Sequence, residues 1–292
     1  MLAGAASRTA MYMALFRAIE SAKPARKRLF ADPLAAAFLN RRLRIAALAA
    51  RLPGIGQLVP RYIDRRWPGP RPSGVVRTRV IDDAVRDAFA TGCAQLVLLG
   101  AGYDTRAYRL PELAASETFE VDHPVTQKGK RAVLERALSS LPPRVHFVPL
   151  DFEHDSLAAA LESAGLRRGT RTCVVWEGVF SYLTMDAIDA TLNWIASACA
   201  AGSRLILTYV DDAALHWTEQ KPAWIAAVED VGEPFITGLD PSEAAGFFAE
   251  RGLRLVADES TRDSAARLDP DAASAIPDFY RVALLEVDPR RS

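Results

Sequence analysis

A pair of glycines and an acid at a fixed distance from them offer the clearest chemistry in the sequence. The motif LLGAGYDT places Gly100 and Gly102 directly after a short apolar run, and Asp122 ends the next apolar run, 20 residues after Gly102. Glycine removes the side chain that would block a ligand approaching the end of a strand. A carboxylate at Asp122 can accept hydrogen bonds from both hydroxyls of a ribose. The combination predicts a nucleoside site; the alternative is a tight turn that favours glycine for backbone reasons alone.

The residues after the glycines indicate which nucleoside is bound. A dinucleotide motif has the pattern GxGxxG, with a pyrophosphate at the start of a helix. Here Thr105 stands at the sixth position, and Asp104 would bring a negative charge close to a phosphate. This disfavours NAD and favours a cofactor without a pyrophosphate. S-adenosylmethionine fits, because it carries ribose and adenine at one end and a zwitterionic methionine at the other.

Two further acids follow the third and fourth apolar runs. Asp151 precedes Phe152, so that a carboxylate can accept from an adenine amino group while the ring covers the base. Glu177 follows the fourth run, and its carboxylate suits the ammonium group of the cofactor. Taken singly, either acid is equally well explained as a helix N-cap or a solvated strand end. Three acids after three consecutive strands favour a shared site.

The elements that must position these residues are short strands alternating with helices. From residue 95 onward, apolar runs of strand length alternate with segments of helical periodicity. This alternation predicts βαβ units, a parallel sheet covered on both faces and an α/β fold. The predicted strands span 95–99, 118–122, 145–150, 172–176, 204–210, 253–258 and 280–288.

The chain before the first strand predicts a helical region. Helical spacing predicts helices over 3–20 and 75–91, and an Asp-Pro pair is the start signal of another helix over 32–51. Clustered proline and glycine predict a loop over 67–74. We therefore expect residues 1–92 to form an N-terminal helical cap.

Residues 93–292 are expected to form the second domain, which carries the sheet. Its regular pattern is broken after the fifth strand, at about 211–240, by prolines and by Trp217 and Trp224, and we interpret this segment as a lid. The stretch 261–277, rich in Asp, Ala and Pro, predicts a long surface excursion.

Composition and charge exclude several classes of protein. The chain has 292 residues with 36 Lys and Arg against 36 Asp and Glu, so its zero net charge offers no general attraction for nucleic acid or anionic lipid.

Its three cysteines are isolated, which disfavours disulfides and zinc and favours a reducing cytoplasm. Charged residues interrupt the first apolar stretch, and no apolar run approaches the roughly 18–20 residues that span a bilayer. We expect a cytoplasmic protein without a metal, nucleic-acid or membrane partner.

The motifs, in their order, resemble the leucine carboxyl methyltransferase family. They are VVRTRVIDDAV, VLLGAGYDTRAYRL, FEVDHP, LDF, WEGVFSYL and GSRLILTYV, with SRTAMYMALFRAIES and FADPLAAAFL near the start, and they cover most of residues 7–210. The resemblance is to the bacterial S-adenosylmethionine-dependent O-methyltransferase branch, of the polyketide or carboxyl methyltransferase type. It implies a class I methyltransferase fold, a Rossmann-like, seven-stranded, mostly parallel sheet with an N-terminal helical cap. It also implies methyl transfer to oxygen, often of a carboxylate, while the loosely matching last third leaves the acceptor open.

The resemblance implies roles for single residues of the cofactor site. Gly100 would lie under the methionine moiety, and Asp122 matches the ribose ligand. Asp151 and Phe152 match the adenine site. Glu177 matches the acid near the amino end of the cofactor.

The resemblance also implies an arginine that clamps the cofactor carboxylate. It falls in VVRTRVIDD, where the spacing to the apolar positions favours Arg77. Arg79 lies within one turn of the same helix and stays an alternative. The commoner role of either residue is that of a solvated helix arginine.

The expected mechanism is positioning and exclusion of water. A sulfonium makes its methyl group a strong electrophile, and a carboxylate or phenolate acceptor is already charged, so little general-base help is needed. Tyr182 and Tyr209 are the catalytic candidates because they could hydrogen-bond the acceptor; their alternative role is aromatic packing. In the predicted lid, His216 is a further candidate contact, while His123 is expected to shape the turn after Asp122.

The acceptor is expected to be a small molecule, and transfer would leave S-adenosylhomocysteine. Trp217 and Trp224 would give the lid an apolar wall, which suggests an aromatic or polyketide-like acid. Arg17, Arg106 and Arg109 could bind an acidic substrate. Two alternative functions stay open, an NAD(P)-dependent oxidoreductase on the same sheet and a non-catalytic nucleoside-binding protein. The oligomeric state is also left open.

Overall fold

The centre of the molecule is the sheet that the sequence predicts. The computed structural model describes residues 8–288 apart from 53, 55, 217–224 and 226–233. Predicted and observed strand ends agree to within two residues. The strands are β1 Gln95–Leu99, β2 Glu117–Asp122, β3 Val145–Pro149, β4 Thr172–Trp176, β5 Arg204–Val210, β6 Leu253–Ser260 and β7 Tyr280–Val287.

The strand order brings the predicted site residues to one edge of the sheet. The described strands form a seven-stranded sheet in the order β3-β2-β1-β4-β5-β7-β6, in which only β7 runs antiparallel to its neighbours. β1 pairs Leu99 with Val121 of β2, so Gly100 and Asp122 leave the sheet side by side. β4 lies in register on the other side of β1, so Glu177 leaves the same edge.

Helices cover both faces of the sheet, which explains the uninterrupted apolar runs of β1 and β4. The described helices are α1 Arg8–Ala22, α2 Arg41–Ala49, α3 Leu58–Arg66, α4 Pro70–Ala90, α5 Arg106–Arg109, α6 Pro124–Ala137, α7 Leu157–Ser163, α8 Met185–Ala198, α9 Asp212–Leu215, α10 Ala244–Glu250, α11 Thr261–Leu268 and α12 Pro270–Ala273. On one face, Ile81 and Val85 of α4 pack with Leu96 and Leu98 of β1. α7, α8 and α10 pack on the other face.

The chain before β1 builds a second apolar cluster beside the sheet. Leu15 and Phe16 of α1 pack there with Phe38, with Ile63 of α3 and with Val75 of α4. α4 therefore belongs to two clusters, since its later turns cover the sheet. The helical cap at residues 1–92 stays a prediction, and α4 is the element that would join it to the sheet.

The prediction of a single helix over 32–51 is wrong. Asp32 is buried, and its carboxylate caps only a short 3-10 turn, Ala35–Phe38. Asn40 then starts α2, because its side chain accepts the N–H of Leu43. Two caps within one apolar stretch divide it into two elements.

The prediction of a loop over 67–74 is also wrong beyond its first residues. α4 begins at Pro70 and continues through Pro72. Both prolines lie in the first helical turn, where the N–H groups have no partner within the helix and a fixed φ favours helix. A proline-rich composition therefore marked the start of a helix and not a loop.

The predicted surface excursion over 261–277 is in large part helical. Ser260 caps α11 by accepting an N–H of the first turn, and α12 follows it. Ala265 and Ile276 are buried against Val76 of α4. This segment thus covers α4 instead of extending into solvent.

Part of the predicted lid lies outside the described residues, and Trp217 and Trp224 are among the residues concerned. The described part comprises α9, Ile225 and residues 234–240. In the last of these, the N–H of Ile236 donates to the carbonyl of Ser181 at 2.8 Å. The lid itself stays a prediction.

Candidate functional site

A cavity of about 1220 Å³ lies at the carboxyl edge of the sheet. It has two walls. We call the loops after β1, β2, β3 and β4 the sheet wall, and α1, α2 and α3 the helical wall. The structure brings eight of the nine predicted site residues to this cavity: Arg77, Gly100, Gly102, Asp122, Asp151, Phe152, Glu177 and Tyr182.

The glycine turn has the backbone conformation that the motif requires. Gly100 and Gly102 have φ of +64° and +42°, a region that residues with a side chain rarely adopt. A Cβ atom at Gly100 would collide with the side chain of Val179. The N–H of Gly102 donates to a carboxylate oxygen of Asp122. The turn is therefore fixed to the end of β2.

Asp122 is buried at the end of β2, and each of its oxygens accepts one backbone N–H. Oδ2 accepts from Gly102, and Oδ1 accepts from His123 at 2.6 Å. Burial raises the pKa of Asp122, and these hydrogen bonds offset the effect only in part. A carboxylate oxygen has more than one acceptor site. Both oxygens can therefore still accept a hydroxyl from a ligand in the cavity.

Asp151 lies at the more open end of the sheet wall. Its side chain is 41% exposed, close to the ring of His154. The N–H of Glu153 donates to it at 3.1 Å and, as the largest cause, lowers the pKa of Asp151. Phe152 is half-buried against the apolar core and lines the cavity beside it. The structure thus places an ionised acid beside an aromatic ring at the cavity, while Asp151 also stabilises its own turn.

Glu177 is held by two arginines. Its Oε1 accepts from Arg77 Nε and its Oε2 accepts from Arg106 Nη1, both at 2.7 Å. Burial would raise the pKa of Glu177, but the two positive charges outweigh it and lower the pKa. Glu177 is therefore neither a helix cap nor a solvated strand end. An ammonium group near it would share the carboxylate with these arginines.

The structure separates the two arginines that the sequence left as alternatives. Arg77 is buried, lines the cavity and lies over the ring of Tyr280, 4.8 Å from its centroid. Arg79 points elsewhere, because its guanidinium contacts Asp83 and the carbonyl of Leu29. Of the two, Arg77 alone lines this cavity.

A buried network of acids and arginines supports the sheet wall, and sequence reasoning missed it. Arg106 contacts Asp82 at 2.8 Å, Asp104 at 2.5 Å and Glu177 at 2.7 Å. Arg109 binds both oxygens of Asp82. Burial raises the pKa of Asp104, but the charges of Arg106, Lys130 and Arg109 and the N–H of Arg106 together outweigh it and bring the pKa to about 2. Asp104, expected from the sequence only as a charge that repels phosphate, is therefore a partner of Arg106.

The same network reaches the helical wall. Arg17 of α1 contacts Asp32 at 2.8 Å and donates to the carbonyl of Tyr103. The hydroxyl of Thr105 donates to the same Asp32 carboxylate at 2.7 Å. Arg17, like Arg106 and Arg109, is thus paired with acids of the chain, and the expectation that these arginines bind an acidic substrate gains no support. In the sequence, the sign of this network was the occurrence of charged residues among apolar ones.

The structure places the two catalytic candidates, Tyr182 and Tyr209, in different surroundings. Tyr182 lines the cavity and packs against Phe235. Tyr209 is fully buried in the core, does not line the cavity, and donates its hydroxyl to Asp258 at 2.5 Å. Burial and this carboxylate raise the pKa of Tyr209. The prediction that Tyr209 contacts the acceptor is corrected, because its side chain packs in the core beside Phe180 and not in the cavity.

The two histidine predictions have different outcomes. His123 accepts the N–H of Val125 and so caps α6, as expected. His216 is exposed next to Asp212 and does not line the cavity. No set of three His, Cys, Asp or Glu side chains within the described ranges could hold a metal ion.

The helical wall is mostly apolar, with Arg17 and Arg66 among its lining residues, and was not anticipated from the sequence. Tyr12, Met13 and Phe16 of α1 line it, next to side chains of α2 and α3. Their spacing places them on adjacent turns of one helix face. A cofactor could therefore contact the polar sheet wall while an apolar molecule contacts the helical wall.

Comparisons with known proteins agree with this geometry. Residues 10–196 match the sequence model of the family described as leucine carboxyl methyltransferase. A Frankia alni protein, provisionally named an S-adenosyl-L-methionine-dependent methyltransferase, is 37% identical over 204 residues, which cover 68% of this chain and 67% of that protein. A Mycobacterium sp. (strain KMS) protein of the same provisional name is 37% identical over 188 residues, 61% of this chain and 60% of that protein.

Solved structures support the fold. The crystal structure of a DUF574 family protein from Streptomyces avermitilis superposes with a TM-score of 0.60 at 16% identity, covering 93% of this chain and 96% of that chain. At this identity the likeness concerns the fold alone. None of the described helices has the length and apolar character needed to cross a membrane.

Proposed function

The chain belongs to the leucine carboxyl methyltransferase family, and from that premise we propose that it transfers the methyl group of S-adenosylmethionine to a carboxylate oxygen of a small apolar acid. Family membership makes it an S-adenosylmethionine-dependent methyltransferase. The alternative of an NAD(P)-dependent oxidoreductase is set aside on the same ground. Oxygen as the acceptor atom, and an apolar acid as the acceptor, are the parts proposed here.

The sheet wall fits S-adenosylmethionine. Asp122 would accept the ribose hydroxyls, since both oxygens retain acceptor capacity beyond their backbone partners. Asp151 and Phe152 would hold the adenine. The missing side chain at Gly100 would leave room for the methionine moiety.

The paired charges of Arg77 and Glu177 suit the zwitterionic end of the cofactor. Arg77 uses Nε for Glu177, while its Nη2 contacts the sulfur of Met13 at 3.5 Å, a weak acceptor. A carboxylate would be a much stronger partner for this group. Arg77 would therefore clamp the cofactor carboxylate, and Glu177 would face the ammonium group.

The observation that carries the proposal is that one cavity has both a polar and an apolar wall. Its volume of about 1220 Å³ exceeds the roughly 300–1,000 Å³ of a pocket for one ligand, so it has room for cofactor and acceptor together. The apolar side chains of α1 favour an acceptor with an apolar body.

For this reaction the chain has mainly to position the cofactor and the acceptor. Bound S-adenosylmethionine supplies an electrophilic methyl group on its sulfonium. A carboxylic acid is ionised at neutral pH, so the chain does not have to remove a proton from it. His123, which lines the cavity, already accepts a backbone hydrogen bond. Tyr182 would orient the acceptor, and the helical wall would exclude water.

The test is methyl transfer to a panel of carboxylic acids and phenols with labelled S-adenosylmethionine. We expect labelled products from acids with apolar bodies, and we expect mild base to release the label, because an ester hydrolyses where an ether or amine does not. Tyr182→Phe is expected to lower kcat/KM by about tenfold, the loss of one hydrogen bond to a charged group. Tyr209→Phe is the matched control and is expected to leave kcat/KM within about twofold, because its hydroxyl lies in the core.

Three results would contradict the proposal. A base-stable product would place the methyl group on another functional group, such as a phenol oxygen or an amine nitrogen. Equal effects of the two tyrosine variants would remove Tyr182 from the site. Binding of S-adenosylhomocysteine without transfer to any acceptor of the panel would favour a non-catalytic nucleoside-binding protein.

A further inference from the structure

Residues 40–71, which we call the arginine-rich segment, concentrate positive charge within a chain of zero net charge. The segment contains eight arginines and one acid, Asp64. It comprises α2, α3 and the start of α4. Its local charge of about +7 is therefore balanced by acids elsewhere in the chain.

Most of these arginines are exposed and lack an acidic partner within the described residues. Arg71 contacts Asp64. Within the part of the chain that the structure describes, none of the other seven makes an ion pair with an acid, and all seven are exposed: Arg41, Arg42, Arg44, Arg51, Arg61, Arg65 and Arg66. Elsewhere in the described chain arginines are commonly paired, as in the network around Arg106.

The same segment exposes large apolar side chains. Of the ten exposed large apolar residues of the described chain, six lie between residues 45 and 67. Ile45 and Leu48 are 59% and 52% exposed on adjacent turns of α2, and Tyr62 of α3 is 68% exposed. Exposed apolar side chains concentrated in one segment mark an interaction site more often than isolated ones do.

On their other side these two helices line the cavity, through residues that include Leu43, Ile63 and the exposed Tyr62. Ile45 and Leu48 do not line the cavity, although each is more than half exposed. The exposed face of α2 and α3 is thus without cover within the described chain.

We propose that the exposed face of α2 and α3 binds an anionic lipid surface. Arginines next to Ile and Leu on a short helix pair are the pattern of helices that lie in the interface of a membrane, with the apolar side chains inserted and the arginines among the headgroups. Tyr62 and Trp67, which are exposed and also line the cavity, add aromatic rings of the type found at membrane interfaces.

Charge complementarity favours an anionic lipid surface as the occupant. Eight arginines against one acid give this segment a single sign of charge, which complements the uniform negative charge of anionic headgroups. On α2, Arg41 and Arg44 stand four residues before Ile45 and Leu48, so charged and apolar side chains are neighbours on the helix surface. The proposal departs from the expectation drawn from zero net charge, because that charge conceals an uneven distribution. It does not depend on the proposed function.

The experiment measures binding of the full chain to vesicles of phosphatidylcholine, alone or mixed with phosphatidylglycerol at about 7:3. We expect binding to the mixed vesicles only, and loss of that binding when salt is raised from about 0.1 M to about 1 M. The variants Ile45→Ser/Leu48→Ser and Arg41→Glu/Arg44→Glu are each expected to weaken binding at least about tenfold. None of these four residues lines the cavity, so unchanged binding of S-adenosylhomocysteine serves as the folding control.

Matched controls lie outside the segment. Val256→Ser removes an apolar side chain exposed by 46% on β6, and Arg131→Gln removes an exposed arginine of α6. Both are expected to bind vesicles as the wild type does. Absence of binding at low salt, equal binding to neutral vesicles, or equal loss in the control variants would overturn the proposal. Self-association that Ile45→Ser/Leu48→Ser abolishes in sedimentation velocity, or binding to polyglutamate without binding to vesicles, would overturn it in favour of a second copy or an acidic protein.

Discussion

The sheet wall and the α2–α3 part of the helical wall differ in how their charged residues are placed. In the sheet wall, Arg106 lies with Asp82, Asp104 and Glu177, and every one of these charges has a partner. In α2 and α3, arginines such as Arg44 are exposed to solvent, beside exposed apolar side chains. A buried charge is stable only when it is paired, whereas an exposed one needs no partner. Substitution of charged residues is therefore expected to be destabilising in the sheet wall and tolerated on the exposed surface of α2 and α3.

This difference also indicates which wall would bind which ligand. A cofactor of fixed structure suits a wall whose groups are held by hydrogen bonds to several elements, because fixed groups bind without further loss of entropy. An apolar acceptor suits a wall of side chains that gains affinity from contact area and not from exact geometry. We expect substitutions in the sheet wall to affect stability and cofactor binding, and substitutions in the helical wall to affect the acceptor.

The largest expected effect is the loss of Arg106. Arg106→Gln would leave three buried carboxylates short of one positive charge, which is expected to lower the free energy of unfolding by about 3–5 kcal/mol. Arg44→Gln, the matched change in the helical wall, is expected to alter it by less than about 0.5 kcal/mol. Urea unfolding followed by circular dichroism measures both.

Arg106→Lys keeps the prediction testable if the glutamine variant does not fold. Lysine retains the charge but cannot reach three carboxylates with a planar group, so an intermediate loss of stability is expected. A change of less than about 1 kcal/mol in Arg106→Gln would contradict the comparison, since it would mean that the network contributes little.

The next effect concerns the affinity for S-adenosylhomocysteine. Asp122→Ala removes the expected acceptor of both ribose hydroxyls, and we expect the Kd in titration calorimetry to rise about 100-fold. Asp122→Asn keeps one oxygen acceptor and is expected to lose about tenfold. Tyr62→Ser, in the helical wall, is expected to leave the Kd within about twofold. The comparison between the walls would be broken if Tyr62→Ser weakened binding as much as Asp122→Ala.

The sheet wall was largely predictable from the sequence because its signals are local. Apolar runs mark the strands, and Gly100, Asp122 and Glu177 follow them directly, so the parallel order of the strands brings these residues together. Arg77 could be placed only as one of two alternatives, since a single helix turn presents both arginines. Tyr209 was misplaced because the face of a fully buried strand is not visible in an uninterrupted apolar run.

The helical wall was not predictable because its contacts join distant parts of the chain. Asp32 was taken as the start of a long helix, whereas it pairs with Arg17 and accepts from Thr105, 73 residues away. The role of Asp104 as a partner of Arg106 likewise depends on where α5 turns after β1. Local propensity identifies a capping residue, but the element that follows is decided by tertiary contacts.

The smallest effect is a dependence on pH that only the sheet wall should show. The pKa of Asp104 is about 2 in the folded protein, below its ordinary value of 3.8, because the charge of Arg106, together with Lys130, Arg109 and a backbone hydrogen bond, outweighs the effect of burial. A lowered pKa stabilises the fold fully above pH 3.8, and this contribution is lost as the pH falls through about 2. Asp104→Asn is therefore expected to be about 2 kcal/mol less stable than the wild type at pH 7, and the gap should shrink to about 1 kcal/mol at pH 3. Urea unfolding at the two pH values measures the gap, and Asp64→Asn provides the comparison in the helical wall, where Asp64 contacts the partly buried Arg71. If the stability difference between Asp104→Asn and the wild type were the same at pH 7 and pH 3, Asp104 would act through its shape and hydrogen bonds. Pairing of charges would then not distinguish the two walls.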